Sequence, residues 1–213
     1  MPSLQAARSL LGVRLVHHTA AGRRSGRIVE VEAYIGTEDQ ASHARFGRTN
    51  RNAVMFGPAG RAYVYLVYGM YDCLNVVTET AGHPAALLIR AVEPVDGTDQ
   101  MRDARLARAL RRAGATAATA ERIRRLPVHA LATGPGLVTA ALGIDRSDNE
   151  RDLCDPQSPL RLEVRPANER APLVVATPRI GIGYAAEPWR SHAWRFIDAS
   201  SPTVSGRDTA GGC

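Results

Sequence analysis

Two alternating segments constrain the fold of this chain more than anything else in it. From Gly26 to Tyr34 it reads GRIVEVEAY. After Ile28, strict alternation puts Val29, Val31 and Ala33 on one side of an extended strand and Glu30, Glu32 and Tyr34 on the other. From Arg61 to Tyr71 it reads RAYVYLVYGMY, with Tyr63 and Tyr65 on one side and Ala62, Val64 and Leu66 on the other. Such strands need a sheet with an apolar face turned to a core and a second face carrying carboxylates and phenols. Tyr68-Gly69-Met70-Tyr71 reads as a turn tip. The apolar strand LLIRA carries one charge, Arg90. All but one of the six tyrosines fall between Arg27 and Arg90, together with His43 and Asn75. An ordinary core would spread them out.

The rest of the chain fits around these segments. A short helix is expected over 3–11, and strands at Arg14–His18, Ala62–Tyr68, Cys73–Thr78, Ala85–Val92, Leu160–Val164, Leu173–Arg179 and Trp194–Ile197. A helix over Asp99–Arg112 opens from the Asp96-Gly97-Thr98 turn. A second starts near Ala118, and a third follows Gly134-Pro135-Gly136. A turn or short helix after Thr37 would carry His43. Strands and helices interleave without regular βαβ units, so the expected class is α+β, a single mixed domain with a largely antiparallel β core and flanking helices. No repeat or linker divides residues 1–199. The Ser/Gly/Thr composition of 200–213 predicts a disordered tail.

Charge and composition narrow the function classes. A formal net charge of +6 and a pI of about 9.8 favour a polyanionic partner. Every basic residue is arginine, as a GC-rich genome would produce, so no side-chain amine is available for Schiff-base chemistry. Only the α-amino group remains, that of Pro2 if Met1 is removed. Cys73, Cys154 and Cys213 form no CxxC pattern, which argues against a disulfide framework and a zinc site. LQAARSLLGVRLV is too short and too often interrupted by arginine to span a bilayer, and it lacks signal-peptide order. A soluble cytoplasmic protein without a membrane partner is expected.

Several side chains carry candidate chemistry. A strand glutamate is ordinarily a solvated face residue, but Glu32 shares its face with Tyr34, and Arg90 is a plausible ion-pair partner that would keep it charged. That pairing suits a general base for water. Glu30 has the same orientation without the Ala-Tyr context and serves as its control. His43 suits a stacking face or a phosphate donor; Glu38 and Asp39 hint at a metal, but no further His or Cys stands at ligand spacing. Met70 and Tyr71 at a tip suit insertion between base steps. Arg48, Thr49 and Arg51 in FGRTNRN suit phosphate oxygens. The helix with Arg102, Arg105, Arg108, Arg111 and Arg112 presents a basic face, ordinarily just a solvated one. GIGYAAEPWR matches no phosphate-loop pattern.

GRIVEVEAYIGTEDQASHARFG, TNRNAVMF, GRAYVYLVYGMYDCLNVV and LLIRAVEP together resemble the alkyladenine (3-methyladenine) DNA glycosylase family. MRDARLAR, TGPGLVTAALGI, RDL, PRIGIGYA and WRF continue the likeness to about residue 205. The resemblance implies a fold like the formyltransferase C-terminal domain and no metal or organic cofactor. It implies a monomer acting on double-stranded DNA that contains damaged purines, of the 3-methyladenine, 7-methylguanine, hypoxanthine and ethenoadenine class. By the same resemblance Glu32 deprotonates water, which Arg90 and the Ile180 carbonyl help to hold. Tyr34 stacks on one face of a flipped base, with His43 and Tyr65 on the other side. Tyr68 fills the gap left in the duplex, and Asn75 tests the purine edge. Asn50 departs from the pattern, since relatives can carry proline there, which puts the backbone contact at that point in doubt.

Three other classes stand beside this one. A non-enzymatic module gripping damaged or single-stranded bases would use the tyrosines but has no need of a Glu32–Arg90 pair. A metal-dependent hydrolase would use His43 with Glu38 and Asp39. A transferase is suggested by fold analogy alone.

Overall fold

The computed structural model describes residues 1–67, 69–111 and 114–206. Tyr68, Arg112 and Cys213, each named above, lie outside the described residues.

Among the described residues, eight strands form one sheet: β1 (Arg14–Thr19), β2 (Gly22–Ile35), β3 (Ala62–Val67), β4 (Tyr71–Val77), β5 (Ala85–Asp96), β6 (Leu160–Glu163), β7 (Val174–Thr177) and β8 (Arg195–Asp198). The order is β3-β4-β5-β2-β1-β6, while β8 pairs with both β2 and β7. All these pairings are antiparallel. The α-helices of the described residues flank the sheet: α1 (Ser3–Leu10), α2 (Thr98–Leu110), α3 (Ala117–Arg124) and α4 (Pro135–Leu142). The mixed, antiparallel α+β class expected from the sequence is what forms.

The register explains why the two faces differ. Tyr63 pairs with Asn75, Asn75 with Leu88, Leu88 with Glu32, and Glu32 with Arg195. Residues directly opposed across antiparallel strands share a face, so this row crosses five strands on one side of the sheet. The neighbouring positions Val64, Leu74, Leu87, Val31 and Ala33 point the other way. There they pack with Ala7 of α1 and with Val138, Ala141 and Leu142 of α4 in the main core. Each buried leucine or valine there contributes about 1.5–3 kcal/mol relative to an exposed one.

Strict alternation in β2 does not hold throughout. Register shifts flank Glu30, and a bulge sets two residues of one strand against one of its partner, changing the phase of the side chains. Ile28 therefore joins Val31 and Ala33 in the main core, while Val29 is buried outside that cluster.

Helix termini hold three of the remaining features. Pro135 opens α4 after Gly134, which has a φ of 112°. A Cβ on Gly136 would lie 2.7 Å from the Tyr71 Cβ, so glycine lets α4 approach the start of β4. Tyr71 is thereby half-buried, with Arg108 over its ring at 5.7 Å, and it begins a strand rather than standing at a free tip. Met70 does stand out, 46 % exposed. Two arginines of the basic face of α2 turn inward, while Arg111 stays exposed: Arg102 donates to the carbonyls of Ile123, Arg124 and Leu126, and Arg105 to those of Ala130 and Leu131. Arg102 thereby satisfies carbonyls at and just beyond the end of α3, and Arg105 those of the short turn after Pro127.

Disorder was expected from Ser200, yet residues up to Gly206 pack against the domain. Ser201, Thr203, Val204 and Ser205 are buried, and Ser201 Oγ donates to Glu93 at 2.8 Å. Composition misleads here because Ser201 and Ser205 find carboxylate acceptors in Glu93 and Glu30.

Candidate active site

A cavity of about 460 Å³ opens on the polar face of the sheet, lined among others by Tyr34, His43, Tyr65, Asn75, Arg90 and Ile180. These side chains come from four adjacent strands and two loops. Of the expected site residues, Arg51 also lines it, while Arg48 and Thr49 lie along the same loop outside it.

Glu32 sits behind the wall rather than in it. Its side chain is fully buried, but all three of its hydrogen-bond partners line the cavity. Tyr34 Oη donates to Oε2 at 2.9 Å, Arg90 Nη1 to Oε2 at 3.2 Å, and the Ile180 backbone N–H to Oε1 at 2.7 Å. The Ile180 backbone thus meets the carboxylate through its amide. An ionised carboxylate can accept about four hydrogen bonds, so one lone pair remains, on Oε1. Burial pushes the Glu32 pKa up, against the pull of Arg90, the Ile180 amide and the Tyr34 hydroxyl. A carboxylate so placed takes a proton more readily than one in water.

The aromatic wall is pre-set by ring contacts. His43 meets Tyr65 edge-on at 4.4 Å between centroids, and Tyr63 lies 5.1 Å from Tyr65. His43 Nδ1 and Tyr63 Oη are 3.0 Å apart. Although the outer side of His43 is open, the surrounding protein atoms, and after them the charges of Arg51 and Arg45, lower its pKa to about 4. The ring is neutral at pH 7. Burial likewise raises the Tyr63 phenol to about 12 and the Cys73 thiol to about 11, so both stay protonated. Arg51 lies over Tyr65 at 5.5 Å, and Arg179 over Tyr34 at 4.7 Å, each occupying one ring face. Asn75 Nδ2 donates to the Tyr63 carbonyl at 3.0 Å, fixing the amide plane at the cavity floor.

The supporting residues were mostly not expected. Asp39, considered above as a metal ligand, is fully buried in a two-pronged pair with Arg179 at 2.6 and 2.9 Å. It also accepts from the amides of Ile35 and Ala41, and so orders the turn expected after Thr37. Among the described residues, no group of three or more His, Cys, Asp or Glu side chains could hold a metal ion. Asn52 donates to the carbonyls of His43 and Gly47 and accepts from the Thr49 amide, shaping the loop that holds Arg48, Thr49 and Arg51. Arg51 itself donates to the Leu66 carbonyl at 3.1 Å. Tyr184, 65 % exposed at the cavity rim, was missed as well.

Glu30 is no bystander either. It is fully buried and accepts from Arg90 Nε at 3.0 Å and Arg195 Nε at 2.7 Å. The Ser205 amide and hydroxyl add donors at 2.6 and 2.9 Å. Its use as an inert control for Glu32 therefore fails. The one available signal was Arg195, which follows an aromatic in WRF and needs a partner.

Fold and cavity together define an α+β protein with a buried carboxylate behind an aromatic cleft. Residues 1–202 match the family model for methylpurine-DNA glycosylase (MPG), and the chain belongs to that family. A Methanocella arvoryzae protein is 47% identical over 206 residues, covering 97% of this chain and 92% of its own. One from Myxococcus xanthus is 46% identical over 204 residues, covering 96% and 89%. Another, from Bacillus cereus strain G9842, is 42% identical over 207 residues, covering 95% and 94%. All three bear the name "Putative 3-methyladenine DNA glycosylase". Among the described residues, no helix is long and apolar enough to cross a membrane.

Proposed function

We propose that this protein is a monofunctional DNA glycosylase that flips damaged purines out of duplex DNA and hydrolyses their N-glycosidic bond. The observation that carries the reading is Glu32, a buried carboxylate with one free lone pair directly behind an aromatic cavity large enough for a purine. Water on the free Oε1 site gives its proton to Glu32 and attacks C1′. The carboxylate also steadies the positive charge that develops on the sugar in an oxocarbenium-like transition state. General-base help of this kind is worth roughly 10²–10⁴-fold in rate.

Substrate choice follows from the cavity walls. Purines alkylated at N3 or N7 are cationic and already good leaving groups. A ring of protonated phenols with a neutral His43 attracts a cationic base by about 0.5–2 kcal/mol per favourable face. Tyr34 and Tyr65 both line the cavity that would receive it. Flipping costs a few kcal/mol and least at damaged pairs, which adds selectivity for 3-methyladenine, 7-methylguanine, hypoxanthine and ethenoadenine over normal bases. Tyr68 fills the vacated stack, with Met70 and Tyr71 beside it, while Arg48, Thr49 and Arg51 hold the backbone. Asn75 reads the purine edge. The protein acts as a monomer.

The test is incubation of purified protein with duplexes carrying each lesion, followed by alkaline cleavage of abasic sites. Strand breaks at the lesion after alkali are expected. Tight lesion binding without base release from any duplex would favour a non-enzymatic binding module instead.

A further inference from the structure

We infer that Glu30 is a positioning residue for excision: it draws one edge of Arg90 away from Glu32, so that the base keeps a lone pair for water. The inference rests on Glu32 being the general base.

The geometry is a row of alternating charges that runs Glu32, Arg90, Glu30, Arg195. Arg90 is divided between two carboxylates, with Nε on Glu30 at 3.0 Å and Nη1 on Glu32 at 3.2 Å, while Nη2 lies 3.4 Å from Ser205 Oγ. Arginine facing a single buried carboxylate adopts the two-pronged pairing, as Arg179 does with Asp39 a few residues away. Without Glu30, the long 3.4 Å contact to Ser205 Oγ is a weak restraint against the Arg90 fork turning onto both oxygens of Glu32. The last lone pair would then be filled, and the carboxylate would hold its charge too firmly to take a proton from water.

Glu30 is itself anchored so that it cannot follow Arg90. Arg195 grips it from β8 while also donating to the Ser205 carbonyl at 2.7 Å and to Thr177 Oγ1 at 3.1 Å. The Ser205 amide closes on the other oxygen. Two glutamates and two arginines balance within this group, so removing the Glu30 charge leaves an uncompensated cation beside the base. The groups facing Glu32 are Glu30 and Tyr34 on its own strand, Arg90 on β5, Tyr65 on β3, Arg195 on β8, and Arg179 beside Ile180. Of these, Glu30 is the one whose negative charge raises the Glu32 pKa.

The test compares the parent with Glu30→Gln, Ser205→Ala and Glu32→Gln, by single-turnover excision of hypoxanthine across pH, lesion-duplex binding and thermal melting. Glu30→Gln should bind within about twofold of the parent and excise roughly 10- to 100-fold more slowly at pH 7. Its acid limb should move to lower pH, because the neighbouring cation is no longer offset. A residue that merely supports the fold would lower the melting temperature and leave that limb in place. Ser205→Ala keeps its backbone donor and should shift rate and limb in the same direction, by less. If Glu30→Gln fails to fold, Ser205→Ala decides. A limb and rate equal to the parent in the folded variant would overturn the inference. Near-normal excision by Glu32→Gln would instead remove the base itself, and this role for Glu30 with it.

Discussion

The Tyr34 hydroxyl donates to the carboxylate of Glu32 at 2.9 Å, so the residue that offers a ring face to the cavity also holds the buried acid behind it. Tyr34→Phe separates the two duties. It preserves the ring and removes one donor from the ionised carboxylate, so the Glu32 pKa rises further. A hydrogen bond to a charged group is worth about 1.5–3 kcal/mol, or about one to two pH units. The expected outcome is near-parental lesion binding with the acid limb of excision displaced upward by no more than that. An unmoved limb would show that Tyr34 acts through its ring alone.

Glu32→Gln should abolish base release while leaving lesion-duplex binding largely intact, since an amide keeps the shape but cannot take the proton of water. The expected loss in single-turnover rate is about 10²–10⁴-fold. For the parent, burial sets the direction of the pH dependence. Activity needs the ionised form and so should fall as pH drops through a limb lying above the ordinary carboxylate value. A rate–pH profile checks both statements.

Asp39→Ala leaves the Arg179 guanidinium buried without its partner behind Tyr34. Breaking a buried pair from one side costs about 3–5 kcal/mol. At about 2–4 °C per kcal/mol for a chain of this size, the melting temperature should drop by roughly 6–20 °C. A melt within two degrees of the parent would mean that water reaches the pair and the pocket wall is softer than its burial implies.

Asn75→Ala should relax discrimination at the purine edge and raise excision of guanine-type relative to adenine-type bases. Its amide is committed to the Tyr63 carbonyl on one side, so the rest of the group faces the cavity in one orientation. Competition assays with mixed lesions measure the ranking, and an unchanged ranking would reduce Asn75 to a strand-pairing residue.

Lyase chemistry at C1′ normally starts from an amine, and this sequence contains no lysine. Borohydride during turnover should therefore trap no protein–DNA adduct, and product strands should break only after alkali. A trapped adduct that disappears when the N-terminus is acetylated would assign the attack to the α-amino group.

The elements that position the cavity were legible because alternation is a local signal. Tyr63, Tyr65, Glu32 and Tyr34 face the cavity side of the sheet as their spacing implies, and the Gly134-Pro135 start of α4 follows from backbone constraints alone. What stayed hidden was partnership across long separations. Nothing near Asp39 in the chain announces Arg179, and nothing near Glu30 announces Ser205. The bulge at Glu30 was invisible for the same reason, since it is a relation between β2 and β5. Arg102 and Arg105 of α2 looked like part of a solvated face because their acceptors are backbone carbonyls, which every sequence has.

Because β2 lines the main core with Val31 and Ala33 and sets Glu32 and Tyr34 toward the cavity, its register is guarded by both faces at once. A slip of one residue against β5 would drive two carboxylates into the apolar layer and turn valines toward the solvent-filled cleft. Misregistered molecules are thus rejected during folding rather than surviving as well-formed but idle protein. A preparation should contain one population, in which the fraction of molecules competent in a single-turnover burst equals the fraction that is natively folded.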